Sequence, residues 1–236
     1  GTAEQVMPTA CALELVHTFS LVHDDLPCMD DDDVRRGRRT VHKAFDVRTA
    51  TAAGLAMVPM AARAAFDGAR EIGLDDNAAA GIVRELMRAS GAAGMIGGQL
   101  LDLEGEGEAL TLEQLERVHS LKTGALIAAS ARLGGLAARA SALQMDALDH
   151  YGRCVGLAFQ IADDVLDVTA TSDELGKTAG RDAALQKSTY PALLGLPGAV
   201  DRANALADEG CAALSAAGML TDALEYLARF SVSRKS

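Results

Sequence analysis

Apolar residues recur at helical spacing along almost the whole chain, whereas the alternation of β-branched and polar residues that is typical of strands is hard to find. In residues 9–23, for example, Leu13, Val16 and Phe19 follow one another at intervals of three, and alanine and leucine, which favour helices, dominate throughout. The sequence therefore predicts an all-α protein. We expect helices at about residues 9–23, 47–71, 76–99, 111–134, 141–168, 189–195, 197–216 and 221–231.

The ends of the predicted helices carry recognisable signals. Thr111 and Gln114 have the spacing of a capping box, and the glycines at 134–135 close the same helix. Pro27 disfavours a regular helix beyond the first aspartates. Because no repeat, low-complexity tract or linker divides the chain, one helical domain over residues 1–236 is the simplest organisation.

Composition argues against several classes of protein. Lys and Arg number 22 against 33 Asp and Glu, and this net charge of -11 argues against a protein that neutralises nucleic-acid phosphates. The first residues lack the regions of a signal peptide, and the stretch "TAAGLAMVPMAARAA" is shorter than the roughly 20 residues of a membrane span.

Four scattered cysteines without a CxxC pair favour reduced thiols, so we expect a cytoplasmic protein. They are Cys11, Cys28, Cys154 and Cys211.

The segment "LVHDDLPCMDDDDVRRGRR", residues 21–39, is unusually charged. Six aspartates lie within ten positions, and four of the next six residues are arginines. Asp24 and Asp25 come at the carboxyl end of the first predicted helix, where the helix dipole disfavours a carboxylate by about 0.3–1 kcal/mol. The repulsion requires cations, either the arginines at 35, 36, 38 and 39 or a divalent metal such as Mg²⁺, and both alternatives stay open at this point.

A second acidic cluster lies in "CVGLAFQIADDVLDV", residues 154–168, where Asp163, Asp164 and Asp167 interrupt an apolar helix. Asp163 and Asp167 are four residues apart and therefore share one face. Buried like charges without a partner are costly, so these acids need either a structural ion pair or a metal. Two such clusters, each followed by basic residues, are typical of a site for a metal–polyphosphate complex, because acids hold the cations and bases hold the remaining phosphate charge.

The two clusters resemble the motifs of a known family. The pattern DDxxxxD in "DDLPCMD", followed by "RRG", and DDxxD in "DDVLD" resemble the trans-polyprenyl diphosphate synthases, in particular the bacterial farnesyl diphosphate synthases (geranyltranstransferases). The resemblance extends over nearly the whole chain through "GGQLLDL", "HSLKTGALI", "GLAFQIADD" and "STYPALLGL". It implies the isoprenoid synthase fold, with helices surrounding a central active-site cavity, a homodimer, and Mg²⁺ as cofactor. It also implies an amino-terminally incomplete polyprenyl synthetase domain, because the family's amino-terminal helices have no counterpart here.

The resemblance further implies a reaction and residue roles. Such enzymes ionise an allylic diphosphate (dimethylallyl or geranyl diphosphate), attack the cation with the double bond of isopentenyl diphosphate, and lose a proton. The expected metal ligands are Asp24, Asp30, Asp163 and Asp167. The expected contacts to the allylic diphosphate are Arg35, Lys122, Thr123, Gln160 and Lys177. Thr123 and Gln160 would present uncharged oxygens to the developing cation. The expected catalytic residues are Asp24, Asp30, Lys122, Thr123, Gln160 and Asp163.

Four further positions follow from the resemblance. Arg36 and His17 match the residues that hold isopentenyl diphosphate, and His17 lies within about 20° of Asp24 around the helix. Phe19 and Ser20, five and four residues before Asp24, match the positions that limit product length. A bulky Phe19 predicts a C15 product, although packing between helices is an alternative role for this ring.

The same motifs leave other functions open. The protein could be a geranylgeranyl or geranyl diphosphate synthase, a class I terpene cyclase, or a non-catalytic subunit of a prenyl synthase. "DDVLD" is the elongating form of the second motif, which argues against a cyclase, and the presence of both aspartate motifs argues against a subunit. Two departures from the family pattern are Gly54-Leu55, where Gly-Asp is usual, and Arg39, where Pro is usual.

Overall fold

The fold is described by a computed structural model that covers residues 3–169 and 188–234. These residues are mostly helical, and the strands among them are the two-residue strands of one hairpin, so the predicted all-α class is confirmed. By their contacts, the described residues of Gly1–Met87 and Leu136–Ala138 form one compact unit, and those of Arg88–Gly135 and Arg139–Ser236 form another. None of the described helices combines the length and the apolar character that a membrane crossing needs.

Two long helices, α1 (Ala3–Asp24) and α3 (Val47–Glu71), pack along each other in the first unit. The distance between two packed helices depends on the side chains at their contact, and small residues allow a close approach. At Gly68 of α3, an added Cβ would lie 2.5 Å from the Cβ of Pro8 on α1, so a larger residue does not fit. The buried residues of α3 are all small: Ala50, Gly54, Ala61, Ala65, Gly68 and Ala69.

A hairpin links α1 to the rest of the first unit. Its strands β1 (Val34–Arg35) and β2 (Arg38–Arg39) pair in antiparallel fashion. Arg36 and Gly37 form the turn with φ values of 51° and 74°, and positive φ at both central residues is the pattern of a type I′ turn. The short helix α2 (Val41–Ala44) follows, and α4 (Asp76–Ser90) comes after α3.

The second unit is assembled around one central helix. The segments that precede it are α5 (Met95–Glu104), α6 (Leu112–His119), a π-helical segment (Ser120–Gly124) and α7 (Ala125–Ala137). The central helix α8 (Ala142–Thr169) packs on α9 (Tyr190–Ala216) and α10 (Asp222–Ser233). Large buried side chains at these contacts each contribute about 1.5–3 kcal/mol, so they fix the orientation of α8. They include Leu148, Tyr151, Leu157, Ile161, Leu206 and Leu214.

Most predicted helix boundaries are confirmed, and several are wrong. The helix at 47–71 is confirmed, as are those at 141–168 and 221–231 to within two residues. The predicted pair at 189–195 and 197–216 is confirmed, because Tyr190–Ala216 consists of two helical segments that meet at a kink at Gly195, whose φ of 72° is non-helical. The first helix begins at Ala3, six residues earlier than expected.

Two corrections concern segments next to the candidate site. The uninterrupted helix predicted at 76–99 is wrong, because α4 ends at Ser90 and α5 begins at Met95. The chain folds back tightly there, since an added Cβ at Gly94 would lie 2.0 Å from the carbonyl oxygen of Ala89. The regular helix predicted at 111–134 is also wrong, because a π-helical turn interrupts it and it continues to Ala137. Its predicted capping box at Thr111 is confirmed.

Candidate active site

In the first unit, the chain turns sharply where α1 ends. The last residue of α1 is Asp24, three positions before Pro27, as the sequence predicts. The backbone amide of Asp30 donates to the carbonyl oxygen of Asp24 at 2.8 Å and closes the turn. The two predicted metal ligands of the first motif, Asp24 and Asp30, therefore lie at the two ends of one closed turn, and both are half-buried.

Arg35 and Arg36 are adjacent in sequence but have different surroundings. The Arg35 guanidinium lies 2.6 Å from the buried carboxylate of Asp25 and 3.8 Å from Asp32. Arg36 is exposed at the tip of the hairpin. The pair of arginines therefore offers one guanidinium tied to the aspartate-rich turn and one in contact with solvent, which is compatible with their predicted contacts to two different diphosphates.

A second cation balances the aspartates that follow. The Lys43 ammonium lies 2.8 Å from Asp33 and 3.7 Å from Asp31, and its hydrogen bond lowers the pKa of Asp33. Asp31, Asp33 and His42 place their ligand atoms within 4.8 Å of one another, a spacing that could hold a metal ion. Because the Lys43 ammonium contacts both carboxylates, we interpret this group as an ion-pair cluster. Arg35 and Lys43 thus relieve part of the repulsion that the sequence predicts.

The residues predicted to bind isopentenyl diphosphate and to limit product length lie on the last turns of α1. His17 and Ser20 are half-buried, and the Ser20 hydroxyl donates to the His17 carbonyl at 2.9 Å. Phe19 is buried and meets the His23 ring edge-on, with 4.8 Å between ring centroids. His23 Nε2 in turn lies 3.1 Å from the carbonyl oxygen of Thr51 on α3. The Phe19 ring is therefore packed in a defined position.

In the second unit, the predicted residues Lys122 and Thr123 lie in the π-helical segment. Such turns are rare and frequently occur at functional sites. An added Cβ at Gly98 of α5 would lie 2.1 Å from the backbone nitrogen of Lys122, and one at Gly156 of α8 would lie 2.8 Å from the Cα of Gly124. Glycines thus allow the backbones of α5 and α8 to approach the segment from two helices.

Three of the predicted allylic-diphosphate residues are brought together here. The Thr123 hydroxyl donates to Gln160 Oε1 of α8 at 2.9 Å. Lys122 Nζ donates to a carboxylate oxygen of Asp102 on α5 at 2.6 Å. Lys177, which the sequence analysis also assigns to this substrate, lies outside the described residues.

The three aspartates of α8 have different surroundings. The Asp163 side chain is 35% exposed and lies 3.1 Å from the Arg234 guanidinium. Asp167, one helical turn later, is buried. Asp164 is 3% exposed and accepts hydrogen bonds from the Tyr190 amide at 3.0 Å and from His119 Nε2 at 3.3 Å. Asp164 is therefore held by the fold, whereas Asp163 and Asp167 are the candidate metal ligands that the sequence predicts.

Tyr190 and His119 support Asp164 through further contacts. Their rings stack with 5.8 Å between centroids, and the Tyr190 hydroxyl donates to Glu116 at 2.9 Å. Burial, together with the hydrogen bond to Glu116, raises the pKa of Tyr190, so its hydroxyl stays protonated at neutral pH. Gln160 Nε2 also lies 3.5 Å from Asp164, which links this buried network to the Thr123–Gln160 pair.

Sequence reasoning missed several residues of the two clusters. Asp102 was visible as the single acid of "GGQLLDL", and His119 directly precedes the predicted Lys122 segment. No local signal distinguishes Asp164 from its neighbour Asp163, because their difference depends on partners far away in sequence. The same holds for Arg234, which lies 71 residues from its partner.

Comparisons with known proteins agree with these motifs. The family model described as Polyprenyl synthetase matches residues 1–226. The farnesyl diphosphate synthase of Escherichia coli (strain K12) is 45% identical over 229 residues, which are 95% of this chain and 76% of that protein. A chloroplastic geranylgeranyl pyrophosphate synthase of Capsicum annuum is 43% identical over 197 residues, 83% of this chain, and the chain spans about half (53%) of its length.

A solved structure extends the likeness to three dimensions. The apo structure of an FPP/GFPP synthase from Zymomonas mobilis superposes with a TM-score of 0.83 at 38% identity, covering 98% of this chain and 78% of that one. This likeness confirms the predicted isoprenoid synthase fold.

Proposed function

The chain belongs to the polyprenyl synthetase family, and from this premise we propose that it is a Mg²⁺-dependent prenyltransferase that condenses isopentenyl diphosphate with an allylic diphosphate. The observation that carries the proposal is the cluster formed by Lys122, Thr123 and Gln160 in the second unit, whose α8 also bears Asp163 and Asp167. This cluster combines a cation, uncharged oxygens and carboxylates, which are the groups that ionisation of a diphosphate ester requires.

The donor set fits Mg²⁺. Asp24 and Asp30 in the first unit, and Asp163 and Asp167 in the second, offer carboxylate oxygens, which are the ligands that this hard cation prefers. All four side chains are partly or fully buried, so their negative charge is poorly screened by solvent and favours a cation. Mg²⁺ bound to these residues would supply electrostatic stabilisation of the departing diphosphate.

The chain's own cations would add to this stabilisation of the leaving group. Breaking the allylic carbon–oxygen bond leaves an allylic cation and moves the bonding electrons onto the diphosphate. Arg35 and Lys122 would bind the diphosphate oxygens and stabilise the charge that develops there, and Lys177 would be a third such residue. Asp25 and Asp102 hold Arg35 and Lys122 through ion pairs of 2.6 Å, so both cations are positioned before the substrate arrives.

Thr123 and Gln160 would stabilise the cation without capturing it. Because the Thr123 hydroxyl hydrogen is engaged by Gln160 Oε1, the lone pairs of the Thr123 oxygen remain available to a positive charge. A neutral hydroxyl or amide oxygen is a much weaker nucleophile than a carboxylate, and this difference limits capture. His17 and Arg36 would hold isopentenyl diphosphate while its double bond attacks the cation and a proton is then lost.

We propose farnesyl diphosphate as the product. Phe19 supports this assignment, because its buried ring lies one turn before Asp24 and is braced by His23, so it would stop a growing chain early. Ser20 would form the adjacent part of the same limit. The relatives include enzymes named for farnesyl and for geranylgeranyl products, and a C20 or C10 product is the alternative that the assay must separate. A homodimer is the proposed assembly.

The direct test is an incubation of the full-length protein with Mg²⁺, isopentenyl diphosphate and either dimethylallyl or geranyl diphosphate, followed by chromatography of the products. We expect a C15 diphosphate from both primers. A C20 or C10 product would refute the farnesyl assignment alone. A cyclic hydrocarbon, or no product from any primer, would refute the prenyltransferase proposal, and the latter result would favour a non-catalytic subunit.

A further inference from the structure

Gln99 on α5 is a buried amide that the proposed mechanism does not use. The residue is 8% exposed, and among the described residues neither its amide nitrogen nor its carbonyl oxygen has a hydrogen-bond partner. Buried side-chain amides are normally bonded, because burial removes water from a group that needs donors and acceptors. Both polar ends of Gln99 depart from this rule, which indicates a ligand rather than a structural role.

The position of Gln99 shows what it can reach. Gln99 and Asp102 are three residues apart and lie on the same face of α5. Asp102 contacts Lys122 Nζ at 2.6 Å, and Gly98 packs directly against the Lys122 backbone. Gln99 therefore lies on the α5 face that carries Asp102, the partner of the cation that we assign to the allylic diphosphate.

Other glutamines of the second unit show how a structural amide behaves. Gln114 accepts from the Thr111 amide at 2.8 Å in the capping box, and Gln144 accepts from the Ser141 amide at 2.9 Å. Both are exposed or half-buried, yet both are bonded. Gln99 is more buried than either and lacks such a bond within the described part of the chain.

We propose that Gln99 is a further substrate-binding residue, which donates from Nε2 to an oxygen of the allylic diphosphate held by Lys122. This inference rests on the proposed function. An amide suits the position because it adds a hydrogen-bond donor without adding charge next to the Asp102–Lys122 ion pair. Its contact would thus fix the orientation of the diphosphate, while Lys122 supplies the attraction.

The test replaces Gln99 by Met, which has nearly the same length and shape but cannot hydrogen-bond. We expect kcat/KM for geranyl diphosphate, measured with isopentenyl diphosphate and Mg²⁺, to fall about 10- to 100-fold, the range for a hydrogen bond to a charged group. The Tm of the free protein should rise by about 2–12 °C, because the variant buries no unsatisfied amide. Loss of activity with gain of stability is a signature that a structural glutamine does not give.

Two further variants sharpen the experiment. Gln114→Met is the matched control, because it removes a bonded amide away from the cluster; its Tm should fall while kcat/KM stays at the wild-type value. Gln99→Asn keeps the amide but withdraws it by one methylene, so its kcat/KM should lie between wild type and Gln99→Met.

The possible outcomes separate the two proposals. A wild-type kcat/KM in Gln99→Met, or a Tm below that of wild type, would overturn the inference. An inactive wild-type protein would refute the proposed function, and the Tm of Gln99→Met would still decide whether this amide is a structural one.

Discussion

Two neighbouring aspartates of α8, Asp163 and Asp164, should respond very differently to replacement by alanine. Asp164 is 3% exposed and accepts from the Tyr190 amide and from His119, whereas Asp163 is 35% exposed in its side chain and pairs with Arg234. Asp164 is therefore part of the fold, whereas Asp163 is a residue that we propose as a metal ligand. The comparison keeps the substitution, the helix and the motif the same.

The contacts set the expected magnitudes. Asp164→Ala leaves the buried Tyr190 amide unsatisfied, which costs about 1–3 kcal/mol, and also removes the charge that His119 contacts. Loss of the acceptor for His119 costs about 1–3 kcal/mol more, so we expect a total of about 2–6 kcal/mol. For a chain of this size, 1 kcal/mol shifts Tm by about 2–4 °C, so Tm should fall by about 4–24 °C. Asp163→Ala removes a partly exposed ion pair of about 0–1 kcal/mol, so its Tm should fall by less than about 4 °C.

Thermal unfolding followed by circular dichroism, combined with the product assay, tests this contrast. Asp163→Ala should keep its fold and lose at least about 100-fold in Mg²⁺-dependent turnover, the scale for loss of one electrostatic group at a reacting centre. Asp164→Asn is the milder companion, because it keeps an acceptor for Tyr190. Equal Tm losses in Asp163→Ala and Asp164→Ala would refute the division of roles, as would full activity in Asp163→Ala.

Three further predictions address Thr123, Phe19 and the cysteines. Thr123→Val removes the 2.9 Å hydrogen bond to Gln160, so kcat in single-turnover assays should fall about tenfold; an unchanged kcat would show that the hydroxyl takes no part. Phe19→Ala should lengthen the product beyond C15 by chromatography and lower Tm, since a buried ring is lost; unchanged C15 chains would remove Phe19 from chain-length control. Burial raises the pKa of Cys154 to about 11, so at pH 8 about 0.1% of this thiol is ionised, and Ellman's reagent should label the exposed Cys11 and Cys28 first; rapid labelling of Cys154, mapped by mass spectrometry, would contradict this.

Periodicity and capping predicted most of the fold because they are local. The helix at 47–71 and the capping box at Thr111 follow from spacing alone, and both are confirmed. The π-helical segment escaped prediction because it is associated with contacts from elsewhere, with Gly98 and Gly156 approaching its backbone from α5 and α8. A regular helix is the default expectation for "LEQLERVHSLKTGALIAASA", and nothing within these residues contradicts it.

The types of residue in the candidate site could be predicted from the sequence. The partners and roles of the individual residues could be predicted less well. The pattern of six aspartates indicated a cation site, and the turn that joins Asp24 to Asp30 agrees with the break expected at Pro27. Which partner each acid has could not be read from the sequence, since the tertiary partners of Asp25 and Asp164, Arg35 and Tyr190, lie elsewhere in the chain. The roles given to the individual residues stay predictions.

The measurement that tests the central claim most directly is product identification with the full-length protein, isopentenyl diphosphate and geranyl diphosphate, with and without Mg²⁺. The account predicts a linear diphosphate that is five carbons longer than the primer and forms only when Mg²⁺ is present. Release of diphosphate without chain growth, or chain growth that persists after the metal is removed with EDTA, would contradict it.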